Sequence, residues 1–154
     1  MAVALLLGLV APAVAGPPSA TVRAVQAAAG AGALEAGAIR FTAVQPKGRG
    51  ATVYEARRGP AGVTRTITDL SPGDGGAWSV DGRETKPMAA ETLDYFTGRI
   101  DAAIAASPSE AECADAPDYY AEHGAAGTAG GGCATDHPNA AIARALGLAD
   151  PVQP

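Results

Sequence analysis

"AIRFTAVQPKGRGATVYEARRGPAGVTRTITDL", residues 38 to 70, decides how this chain folds. Two turn clusters, "PKGRG" and "RGPAG", cut it into three segments: Ala38 to Gln45, Ala51 to Arg57 and Gly62 to Leu70. Connections this short join antiparallel neighbours, so the stretch predicts a three-stranded meander. Ile39, Phe41 and Ala43 alternate onto one face of the first strand. The alternation fails at Val53 and Tyr54, which are adjacent and must face opposite ways. A bulge, or a sheet covered on both sides, accommodates both.

Downstream, "SPGDGG" at residues 71 to 76 is a strong turn signal. A short fourth strand is expected at Ala77 to Val80, around Trp78 and closed by Asp81-Gly82. The clearest helix runs from Pro87 to Ala105, with Pro87 suited to its first turn. Met88, Leu93, Phe96, Ile100, Ala103 and Ile104 fall on one stripe at helical spacing. Asp118 to His123, "DYYAEH", reads as a fifth strand, in which Tyr119 and Tyr120 alternate between core and solvent. Gly124 to Gly132 reads as a flexible loop, with any return strand short. Pro138 to Leu146 reads as a final short helix, stopped by Gly147. The fold class is α+β: a small antiparallel sheet of three to four strands plus a disulfide-closed segment, with one main helix on one face and a short C-terminal helix.

Upstream, Ala2 to Val10 is an apolar run, followed by Ala13-Val14-Ala15 in the small-x-small pattern of a signal-peptidase site. Residues 1–15 are therefore expected to be a signal peptide, residues 16–37 a flexible lead-in with a short helix at Val22 to Ala29, and residues 38–150 one α+β domain. The run is too short to span a bilayer, and no other segment is a candidate. Export implies a periplasmic or extracellular location. Arginines outnumber lysines nine to two, and Ala and Gly are abundant, which fits a GC-rich bacterial coding sequence.

The net charge of −5 argues against a nucleic-acid partner. The charge is also unevenly spread. Residues 38–70 hold Arg40, Lys47, Arg49, Arg57, Arg58 and Arg65 against Glu55 and Asp69, whereas the chain from residue 107 onward holds Arg144 alone against seven acids. Attraction between the two parts within one fold is the simplest consequence. A basic surface for an anionic partner is the sharper one.

Cys113 and Cys133 are the only two cysteines. In an exported chain two cysteines form one disulfide, here closing the fifth strand and the glycine-rich loop. The alternative is a metal site from Cys113, His123, Cys133 and His137. Its ligand types suit zinc, but the paired C-x2-C of common structural sites is missing. His137, directly before Pro138, fits a helix cap, and Asp136 beside it suits the positive end of the helix dipole. Asp115, Asp118 and Glu122 read as a solvated acidic face. No serine sits in a G-x-S-x-G elbow, and no phosphate loop, dinucleotide fingerprint, H-E-x-x-H or calcium loop is present. No cofactor is implied. The expected role is a non-enzymatic module binding a protein or small molecule. The alternatives are a metal-binding protein on the Cys/His set, or a hydrolase using His123 or His137.

Overall fold

The computed structural model describes residues 16–106, 113, 115–133 and 136–148. The expected signal peptide at 1–15 lies outside these residues. Helix α1 spans Ala20–Ala28, and four strands follow: β1 Ile39–Val44, β2 Ala51–Gly59, β3 Gly62–Pro72 and β4 Trp78–Met88. Helix α2 spans Ala90–Ala105, then come β5 Asp118–His123, β6 Ala126–Ala129 and helix α3 Pro138–Ala145. The strands form one antiparallel sheet in the order β4-β3-β2-β1-β5-β6.

The meander forms where its turns predict it, but the sheet is larger than the three to four strands expected. Its largest extension is β4, eleven residues long. Asp81-Gly82 does not end this strand. Asp69 pairs with Gly82 and Leu70 with Val80, which leaves Asp81 as an extra residue in a bulge. The Asp81 carboxylate accepts a 2.8 Å hydrogen bond from Ser71 Oγ across the ladder. Pro87 consequently lies in an edge strand, where a missing N–H is tolerated, and not in the helix. Met88 still pairs with Val63, and α2 begins only at Ala90.

The helices do not share one face. Ile39, Phe41, Ala43, Tyr54 and Tyr119 pack with Leu93, Phe96 and Ile100 of α2 and Ile142 of α3. On the other side Val44, Val53, Leu70 and Tyr120 pack with Val22 and Val25 of α1. Coverage on both sides explains the broken alternation at Val53 and Tyr54. It also explains why Tyr119 and Tyr120 are both buried, where only one was expected to be.

Residues 16–37, expected as a flexible lead-in, hold α1 against the sheet. Ser19 caps the helix by accepting from Val22 N–H, and its hydroxyl donates to Asp118 of β5 at 2.5 Å. At the other end Gly30, at φ 67°, closes a Schellman motif: Gly30 N–H reaches Ala27 O and Ala31 N–H reaches Gln26 O. Gly147 ends α3 the same way, as its sequence position predicts: Gly147 N–H bonds Arg144 O and Leu148 N–H bonds Ala143 O. Tyr120 sets a close approach of its own. A Cβ on Gly127 would lie 2.5 Å from the Tyr120 hydroxyl, so any larger residue there would have to displace the Tyr120 ring.

No helix among the described residues is long and apolar enough to cross a membrane.

Candidate functional site

Helix α1 covers only part of its face of the sheet. Over β2, β3 and β4 that face is polar, and register explains its order. Glu122, Arg40, Glu55, Thr66 and Thr85 stand in one row across β5, β1, β2, β3 and β4. Thr42, Val53, Thr68 and Arg83 stand in the next. Because alternate residues share a face, the run Thr64-x-Thr66-x-Thr68 lays three hydroxyl side chains along β3 on this side.

Arg40 is the centre of the first row. It is 4% exposed, yet its guanidinium is fully engaged. Nε donates to Glu55 at 2.7 Å, Nη1 approaches both oxygens of Glu122 at 3.4 Å, and Nη2 donates to Gly32 O at 2.6 Å. Gln26 of α1 donates to Glu122 at 2.6 Å and to Thr42 Oγ1 at 3.0 Å. Burial nevertheless raises the Glu122 carboxyl above its ordinary value, against the opposing pull of Arg40 and the Gln26 hydrogen bond. Thus the basic meander and the acidic tail do attract each other, through Arg40–Glu122 and through Lys47–Asp115 at 3.2 Å. The first contact is buried, however, and Glu122 is not part of a solvated acidic face.

Arg83 in the second row donates from Nε to Thr68 Oγ1 at 3.1 Å and from Nη2 to Ala29 O, at the C-terminus of α1. Two arginines therefore fasten the segment after α1 to the sheet: Arg83 holds Ala29 and Arg40 holds Gly32. Between this fastened segment and the threonine floor lies a cavity of about 340 Å³. Arg57, Thr64, Thr66, Thr68, Arg83 and Thr85 line it, together with the acids Glu35 and Glu55. Arg57 and Arg83 have no carboxylate partner among the described residues. In the sequence Arg57 is only one of several bases. Arg83 was hidden because β4 was expected to end before it.

Cys113 and Cys133 are joined by a disulfide, with their Cα atoms 5.8 Å apart. Both thiols are thereby consumed, and the four residues of the alternative metal set are not assembled. Among the described residues no group of three or more His, Cys, Asp or Glu side chains is placed to hold a metal. His123 instead pairs through Nδ1 with Asp101 of α2 at 2.6 Å, and both are partly exposed. No nucleophile among the described residues bonds to this His–Asp pair.

His137 caps α3, as its position before Pro138 predicts. Its Nδ1 accepts from Asn139 N–H at 3.1 Å. The residue is also buried, which the capping argument alone does not foresee. A ring that accepts at Nδ1 carries its proton on Nε2 when neutral, and Nε2 is buried without a partner among the described residues. Burial lowers the His137 pKa, opposed by Asp136. Asn139 donates to Thr128 O and Gly130 O, each at 3.2 Å, and so ties α3 to β6.

A second hollow, of about 610 Å³, lies on the opposite face between β3, β4 and α2. Tyr54, Ile67, Met88, Tyr95, Phe96 and Leu146 line it. Its polar lining is Arg65, Thr92 and the two tyrosines, among mostly apolar neighbours. Comparison with known proteins gives no match: no family model fits the chain, and no curated protein or solved structure is similar to it.

Proposed function

We propose that this chain is a small exported binding module, stabilised by one disulfide, and that the polar groove beside α1 is its binding surface. The groove is the observation that carries this reading. Charged and hydroxyl side chains from three strands converge on one concavity of ligand-pocket size, and guanidinium groups fasten its roof. Export is supported by the apolar run before Ala13-Val14-Ala15 and by a disulfide of the kind that persists in oxidising compartments.

The test is amide-resolved NMR of the oxidised protein against a chemically mixed fragment library. Hits should move the Thr64, Thr66, Thr68 and Arg83 resonances, and filling the groove with Thr66→Trp should abolish them. Hits that map only elsewhere, or that survive the filled groove, would defeat the assignment.

A hydrolase is the second reading, and the 2.6 Å His123–Asp101 pair is what favours it. An aspartate orienting a histidine is one part of an acid–base machine, which still needs a nucleophile or an activated water. Turnover of ester, phosphate or glycoside reporters that is lost in Asp101→Asn would favour this reading over the binding module.

A further inference from the structure

We infer that the groove takes a small anionic ligand, one carrying a carboxylate or phosphate group, held between Arg57 and Arg83. This rests on the groove being a binding surface and adds the chemistry of what binds.

Charge sets the class of ligand. Of the three arginines at the groove, Arg40 is neutralised by two carboxylates, Glu55 and Glu122. Arg57 and Arg83 are not so matched among the described residues. Arg83 spends Nε and Nη2 on Thr68 and Ala29 O, which fixes the plane of its guanidinium and leaves Nη1 free to donate. Arg57 is exposed on β2, directly across from Thr64 on β3. An arginine held in one orientation is a preorganised donor for a carboxylate or phosphate oxygen. Two acids also line the groove: Glu35, exposed on the segment after α1, and Glu55, which Arg40 Nε binds at 2.7 Å. That bond reduces the repulsion of Glu55 toward an incoming anion.

Shape sets the size. A cavity of about 340 Å³ lies at the lower end of the range for small-molecule sites, which runs from roughly 300 to 1,000 Å³. The segment from Ala29 to Glu35 roofs one side of it, while Thr85 and Arg83 on β4 remain exposed. Hydroxyls complete the site. Thr66 and Thr85 bond each other at 2.9 Å, whereas the Thr64 hydroxyl makes no side-chain bond among the described residues and stands next to Arg57.

The experiment is a titration of the oxidised, full-length protein with citrate, with inorganic phosphate and with glucose, followed by amide and arginine Nε–H shifts. Citrate or phosphate should bind saturably and move Thr64, Thr66 and Arg83 Nε–H. The stronger of the two identifies carboxylate or phosphate as the preferred group. Arg57→Gln, an exposed change that leaves the roof fastened, should weaken that binding about tenfold, the loss of one charge-assisted hydrogen bond. Arg83→Lys, which keeps the charge but not the fork, should weaken it as well. Three outcomes overturn the inference: no groove shifts with either anion, equal binding by Arg57→Gln, or groove shifts with glucose alone. The last leaves the groove as a binding surface and removes only the anion. Failure of the fragment library to find the groove removes both.

Discussion

Arg40 and Glu122 stand directly opposite each other on β1 and β5, and their side chains meet beneath α1 with Nη1 3.4 Å from Oε1. The same guanidinium binds Glu55 on the other neighbouring strand. One buried cation thus separates two carboxylates in one row of the sheet. Removing it leaves both acids uncompensated, and breaking a buried pair from one side typically costs about 3–5 kcal/mol. Arg40→Leu should therefore lose stability in this range in urea melts. Adding Glu55→Gln and Glu122→Gln should restore much of it, because no charge is then stranded. A loss below about 1 kcal/mol would mean that the row behaves like an exposed pair.

Glu122 itself predicts a pH effect. Its folded carboxyl titrates above the ordinary 4.5, chiefly because it is buried. Between those two values the folded state holds the proton and the unfolded state does not. Stability from this group is therefore greatest below 4.5 and falls as pH rises through the folded pKa. Glu122→Gln should lack that fall. The measurement is the melting temperature of both proteins across the acid range. Parallel curves would show that Glu122 does not titrate as its burial requires.

Local chemistry made much of this fold legible in advance. The two short turns placed β1, β2 and β3, the DYYAEH stretch placed β5, and His137-Pro138 and Gly147 bracketed α3. Long-range choices were not legible. Asp81-Gly82 has the composition of a turn, and only its pairing with Asp69 makes it part of a bulge. The Ala- and Gly-rich segment before β1 looks too weakly apolar to pack, yet Val22 and Val25 suffice because Ser19 and Gln26 bind β5 and β1 across the interface. For the same reason the groove could not be read from sequence: Arg57 and Arg83 are far apart in the chain and share a site only through the ladder from β2 to β4.

His137 carries a pH dependence of opposite sign. Burial depresses its folded pKa below the ordinary 6.5. The unfolded state then binds the proton first, so stability is fully present above 6.5 and is lost as pH falls toward the folded value. The geometry gives the same sign, since a protonated Nδ1 cannot accept from Asn139 N–H. His137→Asn keeps a cap acceptor and should flatten the acid side of the profile. His137→Ala should lose about 1 kcal/mol from the cap alone. Amide exchange at Asn139 and Ala140 as a function of pH provides a local readout. If the protection there, measured against the intrinsic exchange rate at each pH, is unchanged between pH 7 and 5, the titration of His137 is uncoupled from α3.

The disulfide should matter most at β6. Only four residues long, β6 is the edge strand beyond β5, and it continues directly to Cys133. Three features hold this corner: the Cys113–Cys133 bond, the Tyr120 ring against Gly127, and the Asn139 side chain reaching Thr128 O and Gly130 O. The strand itself has little to bury, with Thr128 as its largest side chain. Reduction, or Cys133→Ser, releases a loop spanning 20 positions and should cost roughly 2–5 kcal/mol. The loss should appear first as faster amide exchange across residues 126–131, while β1 to β3 keep their protection, because no β6 side chain is among the buried residues of the core against α2. Thermal melts with and without reductant, read alongside residue-resolved exchange, separate the two effects. Uniform loosening of the whole sheet would mean that the bond stabilises the fold globally. No loosening at all would mean that Asn139 and Tyr120 hold β6 without it.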